Sequence, residues 1–200
     1  MDDPSSSPGL RRVVAIVAAL NLGYFGIEFA VALAIGSVSL FADSVDFLED
    51  ASINLLIFAA LGWGPRMRAR VGMVLAGIIL VPGLATLWTA WGKFWVPIAP
   101  DPVPLTLAGA GALAVNLACA YLLARYRHHG GSLTKAAFLS ARNDAVANVA
   151  IVGAGLVTAM TVSAWPDLIV GLAIAAMNAD AAREVWTTAR EEHRAETPSA

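Results

Sequence analysis

The sequence predicts an all-α membrane protein with six transmembrane helices, and its composition and apolar blocks are the observations that predict it. Of its 200 residues, 58% are hydrophobic and 14% are charged, whereas about a quarter of the residues in soluble domains are charged. Several apolar blocks have the length of roughly 20 residues that spans a bilayer. No basic run or aromatic platform indicates nucleic-acid binding. We therefore expect one transmembrane domain over residues 11–188.

The first helix is predicted from Val13 to about Ile35. It follows a Pro- and Ser-rich stretch, residues 1–10, which we expect to be a disordered tail. Asn21 and Glu28 are seven residues apart inside this helix, so they lie on one face. The link GSVSL that follows is so short that it predicts an antiparallel hairpin with the second helix.

The second predicted helix, residues 40–62, carries four carboxylates in its first half. At about 100° per residue they share one flank of the helix. A charged side chain deep in a bilayer costs on the order of 3 kcal/mol, so such groups usually face a protein interior or an ion path. The alternatives are the acidic end of a soluble helix, or acids that form only a polar edge at the membrane interface. The four acids are Asp43, Asp46, Glu49 and Asp50.

The remaining helices are predicted over 71–92, 105–125, 133–160 and 167–187. Pro82 and Gly83 are expected to kink the third helix, and a Pro-rich connector, residues 94–104, follows it. Cys119 is expected to be a small apolar residue packed within a helix. It is the only cysteine, which excludes an intrachain disulfide. Residues 189–200 are expected to form a short cytoplasmic tail.

The distribution of Lys and Arg predicts the orientation, because cytoplasmic loops are enriched in both. Of the basic residues in loops and tails, only Lys93 falls on the side opposite to both termini. We therefore expect a multi-pass protein of the inner or plasma membrane with cytoplasmic termini. Tryptophans agree with this orientation, since they favour the two membrane rims. Trp63 and Trp186 fall at the cytoplasmic rim, and Trp88, Trp91, Trp95 and Trp165 at the opposite one.

A short internal similarity suggests a 3+3 repeat. Asp46, Asp50 and Asn54 are spaced by four residues in the second helix, as are Ser140, Asp144 and Asn148 in the fifth. Asn21 and Asn116 precede the two sets at similar distances. Repeat-built transporters place their substrate sites between equivalent helices. The pattern predicts that the second and fifth helices are partners across a central site.

The same residues predict a metal site. Side chains four apart lie about 6 Å from each other on a helix face, so Asp46/Asp50 and Ser140/Asp144 would form two clamps around a divalent cation. Oxygen ligands suit Mg²⁺, Mn²⁺ or Fe²⁺, and Co²⁺ and Zn²⁺ stay open. Protons would compete with the metal for the carboxylates. Further candidate ligands are Asp43, Asn143, Asn54, Asn148 and Glu28.

The expected roles of other polar residues near this site are less specific. Asn21 and Asn116 are expected to hold helices together by hydrogen bonds more than to bind metal. Arg142 is expected to point away from Ser140, towards Glu49 or the membrane rim. His128 and His129 are either idle loop histidines or collect metal at the cytoplasmic entrance.

Three segments carry a resemblance to the cation diffusion facilitator family: GSVSLFADSVDFLEDA, FLSARNDAVANV and WPDLIVGLAIAAM. The resemblance covers about residues 13–187. It implies six helices with both termini inside, a homodimer, and efflux of a divalent metal in exchange for protons. It also implies a metal site at Asp46/Asp50 and Ser140/Asp144. Many family members have His or Asp in place of Ser140. Most also carry a C-terminal metal-binding domain, and we infer no role of such a domain for this chain.

The favoured hypothesis is therefore a proton-coupled exporter of divalent cations that works by alternating access. The alternative is a membrane protein that does not transport, such as a metal sensor or a subunit that stabilises a partner. An enzyme is not expected, because no Ser/His or Glu/His constellation lies on adjacent helix faces.

Overall fold

The chain folds into a bundle of helices. The computed structural model describes residues 8–60, 84, 86–126 and 131–177, and every regular element within these ranges is a helix, as predicted. In chain order the helices are α1 (Pro8–Ile35), α2 (Val38–Ala60), α3 (86–95), α4 (Pro102–Ala124), α5 (Gly131–Thr161) and α6 (Trp165–Met177).

Three of these helices are long and apolar enough to cross a membrane: Gly9–Ile35 in α1, Pro102–Ala124 in α4 and Ala137–Thr161 in α5. α2 has 23 residues, but its acidic residues exclude it from this apolar class. The described parts of α3 and α6 are shorter. Six complete spans therefore stay a prediction.

Some predicted features lie outside the described residues. They are Pro82 and Gly83, the arginines Arg66, Arg68 and Arg70, the pair His128 and His129, Trp63 and Trp186, and the terminal stretches 1–7 and 178–200.

The predicted hairpin between α1 and α2 is present. Gly36 ends α1 with a positive φ of 65°, a conformation that glycine adopts without strain. The Ser37 amide donates to the Ala32 carbonyl at 3.0 Å, as in a Schellman cap. α1 itself begins at Pro8, earlier than expected, and Leu10 is buried in the bundle. Residues 8–10 thus belong to the helix and not to a disordered tail.

α4 begins at Pro102, inside the stretch predicted to be a connector. The Asp101 side chain accepts a hydrogen bond from the Val103 amide at 3.0 Å and so caps the helix. Proline is tolerated in the first turn of a helix, because the amides there have no partner within the helix. The Pro-rich composition therefore misplaced the start of α4 by three residues relative to the prediction at 105.

A polar layer crosses the middle of the bundle between two apolar clusters. α1 packs along α2, and α4 packs along α5, while contacts of α1 with α4 and of α2 with α5 join the two pairs. One cluster contains Leu10, Val14, Val17, Cys119, Leu123, Ala137 and Ala141. The other contains Ala32, Leu40, Phe41, Ala42, Leu105, Ala108, Ile151 and Ile174. In α2 the stretch from Asp43 to Asp50 falls between them.

Aromatic residues gather near the end of α3 and the start of α6. The ring centroids of Trp91 and Trp95 lie 5.7 Å apart, and those of Phe94 and Trp165 lie 6.0 Å apart. These tryptophans are exposed, as is Trp88. The arrangement agrees with the rim predicted for this side of the membrane.

Candidate metal site

The acidic stretch of α2 faces into the bundle. Asp43 and Asp50 are buried, with 0% and 4% of their surface exposed, and Asp46 and Glu49 are half-buried. They share one side because residues three, four and seven apart lie on the same helix face. Between them Phe47 packs on another helix, with its ring 5.1 Å from that of Tyr24. Asp43 and Asp50 therefore lie inside the protein, while Asp46 and Glu49 stay partly exposed.

A hydrogen bond joins the acidic face of α2 to α5. The Ser140 hydroxyl donates to Asp50 Oδ1 at 2.9 Å. Asp144 lies one turn further along α5, beside Ser140. The two predicted pairs, one on each helix, therefore face each other across the α2–α5 contact.

The carboxylates at this contact repel one another. Asp46 is near enough to Asp144 for a direct electrostatic interaction, and Asp144 in turn interacts with Asp50. Arg142 does not neutralise them: it is exposed, and its guanidinium donates to Asn143 at 3.3 Å and not to Glu49. The site is thus rich in carboxyl groups, and a cation or protons would offset their mutual repulsion.

A second chain of hydrogen bonds crosses α4, α5 and α2. The Asn116 amide donates to Asn148 Oδ1 at 2.9 Å, and the Asn148 amide donates to Asp43 Oδ2 at 2.5 Å. Asn116 therefore holds helices together, as expected. Asn148 and Asp43 belong to a polar network one to two turns away from Asp50.

Other candidate ligands differ in their surroundings. Glu28 is fully buried and lies against Asp43, and within the described residues no donor reaches either of its carboxylate oxygens. Asn54 donates to the Asp50 carbonyl at 2.8 Å, while no described group donates to its own Oδ1. Asn143 is exposed, so the structure does not bring it to the site. Its neighbour Asp144 does reach the site, because one residue turns the helix by about 100°.

In the part of the chain that the structure describes, no three His, Cys, Asp or Glu side chains are close enough together to hold a metal ion. The Asp46, Asp50 and Asp144 carboxylates lie near each other without forming a closed cage. A proton or a cation between carboxylates of like charge relieves their repulsion.

Sequence reasoning missed a cluster at the start of α2. Lys93 was predicted to lie in a loop, but it is 8% exposed and its Nζ forms an ion pair of 2.8 Å with Asp167 of α6. Asp167 also accepts hydrogen bonds from Ser37 and Ser39 in the α1–α2 turn and the first turn of α2. The available signals were two serines that precede a helix and one aspartate in an otherwise apolar segment.

The bundle and its polar layer define a helical membrane protein with a buried acidic site at its centre. The family model of the cation efflux transmembrane domain matches residues 14–191. The chain therefore belongs to the cation efflux family, which is a family of metal cation transporters and not of enzymes. No curated relative matches the chain.

Proposed function

We propose that the chain exports a divalent metal cation that binds between α2 and α5 and is exchanged for protons by alternating access. One observation carries the proposal. The hydrogen bond of 2.9 Å between Ser140 and Asp50 joins the helix faces on which the proposed ligands lie. The ligands are Asp46, Asp50, Ser140 and Asp144, with Asp43, Glu28, Asn54 and Asn148 as neighbouring polar groups along the same path.

The ligand set favours a hard or intermediate cation. Three carboxylates and one hydroxyl supply only oxygen, which suits Mn²⁺, Fe²⁺ or Mg²⁺. Co²⁺ and Zn²⁺ also bind oxygen ligands, because affinity for any site rises along the first-row series. The metal is the substrate of the protein.

Proton coupling follows from the same oxygens. Three carboxylates exceed the charge of a divalent ion by one, so the loaded site retains a negative charge. Protons that reach the empty site neutralise the carboxylates and reduce their mutual repulsion. Because metal and protons occupy the same groups, binding of one releases the other.

We further propose that both termini are cytoplasmic and that the protein is a homodimer. The orientation is supported by the basic residues on the side of the termini, and Lys93 no longer counts against it because it is buried in an ion pair. The dimer is supported by the resemblance to the family alone.

Flux into proteoliposomes tests this function. The wild type is expected to carry at least one of Mn²⁺, Fe²⁺, Co²⁺, Zn²⁺ and Mg²⁺ into vesicles that are acidic inside, and to carry less without the proton gradient. Asp50→Ala and Asp144→Ala should each lower the rate about tenfold or more, which corresponds to roughly 1.4 kcal/mol of lost interaction.

Asn143→Ala is the matched control, because Asn143 is exposed on the same helix as Asp144. Its rate should stay within about twofold of the wild type, the range of a surface substitution of up to 0.5 kcal/mol. Unchanged flux in both aspartate variants would exclude the proposed site.

A second candidate is a membrane protein that does not transport, in which the polar groups hold the bundle together. The hydrogen bonds from Asn116 to Asn148 and from Asn148 to Asp43 favour it, because they are interhelical. It predicts no flux of any metal by a folded wild-type protein, whatever the pH gradient.

A further inference from the structure

Asp167 forms a dense set of hydrogen bonds at the start of α6. Its Oδ1 accepts from the hydroxyls of Ser37 at 2.6 Å and Ser39 at 2.7 Å, and from the Ser39 amide at 3.1 Å. Its Oδ2 accepts from the Val38 amide at 3.0 Å and from Lys93 Nζ at 2.8 Å. One fully buried carboxylate thus binds α2, α3 and the turn before α2.

Asp167 caps α2 from another helix. Ser37 is the N-cap of α2, since its Oγ accepts from the Leu40 amide at 3.1 Å. The first amides of a helix carry partial positive charge and have no partner within the helix. The Asp167 carboxylate binds two of these amides, so α6 supplies the anion that α2 needs at its start.

Lys93 completes the cluster. Its Nζ donates both to Asp167 and to the Gly36 carbonyl, the latter at 2.5 Å. Within the described residues Lys93 and Asp167 form a buried ion pair whose other hydrogen-bonding capacity is taken up by the α1–α2 turn. The end of α3 is therefore attached to α2 and α6 by the same contact.

The backbones of α6 and α2 also approach closely here. A Cβ at Gly171 would lie 2.7 Å from the Ser39 amide nitrogen and from the Val38 carbonyl carbon. The apolar cluster of Val38, Ala90 and Leu168 accompanies this approach, and Ile174 of α6 belongs to the larger cluster that contains Leu40 of α2. Asp167 and Lys93 supply the polar part of the contact between α6 and the start of α2.

The cluster lies close to the acidic layer along α2. Asp43 follows Val38 by five residues, which is about 7.5 Å along a helix axis. Under the proposed orientation this is the extracytoplasmic end of the bundle. Separation of α6 from the start of α2 would open the protein directly above Asp43.

We propose that Lys93 and Asp167, with Ser37 and Ser39, form an extracytoplasmic gate, closed in this structure, which opens when α3 and α6 together separate from the start of α2. Hydrogen bonds and ion pairs suit such a contact because water replaces each of them on opening, and their net contribution to stability is modest. The contact of Phe94 with Trp165 links α3 to α6 and supports their joint movement. The inference rests on the proposed function.

A reversible disulfide tests the gate. In a Cys119→Ser background, Val38→Cys with Leu168→Cys would join α2 to α6. Flux is expected to stop on oxidation and to return on reduction. The matched pair Ala90→Cys with Leu168→Cys joins α3 to α6 within the same apolar cluster, and should transport in both states.

The outcomes separate the gate from the transport function. Equal flux by the oxidised and reduced forms of the Val38/Leu168 pair would overturn the gate while leaving the exporter intact. Absence of flux in the reduced form and in the wild type would overturn the exporter instead.

Amide hydrogen exchange tests the gate without a transport assay. In the wild-type protein without metal, the amides of Val38 and Ser39 should exchange together with those at the start of α6. Lys93→Met should speed both by about tenfold or more, because loss of one member of a buried pair destabilises the closed form. Amides near Asn116 in α4 should not change, which shows that the fold is kept. No acceleration at the start of α2 would overturn the gate.

Discussion

Two buried carboxylates of this protein, Asp167 and Glu28, have opposite surroundings. Asp167 accepts hydrogen bonds at both oxygens and pairs with Lys93. Glu28 is equally buried, but within the described residues no donor reaches either of its oxygens. A buried polar group without a partner costs free energy, so it persists in a protein where it serves a function. Asp167 therefore holds helices together, and we propose that Glu28 lies on the path of the ion.

Glu28→Gln is expected to separate these roles. Replacement of this buried carboxyl by a neutral amide of the same size should leave the midpoint of thermal unfolding unchanged or higher, while metal flux falls severalfold. Unfolding in detergent and flux in proteoliposomes are the two measurements. A lower unfolding midpoint with unchanged flux would show that Glu28 is structural.

Ser140 is expected to limit the selectivity of the site. Ser140→His replaces a hydroxyl by an imidazole, which Zn²⁺ prefers over oxygen ligands more strongly than Mn²⁺ does. The ratio of Zn²⁺ to Mn²⁺ flux in a competition assay should therefore rise about tenfold, equivalent to roughly 1.4 kcal/mol. A ratio that stays the same would place residue 140 outside the coordination sphere.

At the scale of the helices, small residues allow close approach where side chains do not fit. On α4, a Cβ at Gly109 would meet Ile151 of α5, and on α5 a Cβ at Gly155 would meet Thr106 of α4. Close packing at small residues is the main source of helix association in membranes, where lipid removes the hydrophobic drive between helices. The α4–α5 pair is therefore a rigid partner for the α1–α2 hairpin.

Gly171→Ala should disturb the contact of α6 with α2. The new methyl group would meet the backbone of Val38 and Ser39, which cannot rotate away. We expect a loss of about 1–3 kcal/mol in the free energy of unfolding, as in other overpacked cores. Gly153→Ala is the control, since no atom lies within 4 Å of its added Cβ. Equal unfolding midpoints for the two variants would argue against a tight α6–α2 contact.

The helices could be predicted better than the contacts between them. The short link GSVSL predicted the hairpin, and helical periodicity predicted the inward faces of α2 and α5, because those features are local. The Lys93–Asp167 pair joins residues 74 apart in sequence, and no local pattern showed that a single lysine near a Pro-rich segment would be buried. Asn143 failed as a candidate because proximity to Asp144 in sequence does not give a shared helix face.

The hydrogen bonds of the asparagines in the two halves do not follow the proposed 3+3 repeat. Asn116 donates to Asn148 between α4 and α5. Asn54, the equivalent of Asn148, donates instead to the Asp50 carbonyl of its own helix, and the amide of Asn21 has no acceptor among the described residues. The two halves differ at this position, and the 3+3 repeat stays a prediction.

On the scale of the whole molecule, a polar layer lies between two apolar clusters and is covered at one end by the contact of Asp167 with α2. Transport by alternating access requires that each end of such a layer opens in turn. The arrangement gives the proposed metal a carboxylate-rich centre, with the proposed gate on one side.

The location of a bound metal tests the central claim most directly. Crystals soaked in Mn²⁺ should give an anomalous scattering peak between α2 and α5, with the carboxylates of Asp50 and Asp144 at about 2.0–2.6 Å, the range for metal–oxygen bonds in proteins. The peak should be lost in Asp50→Ala. A peak at the protein surface alone, with none between these two helices, would contradict the account.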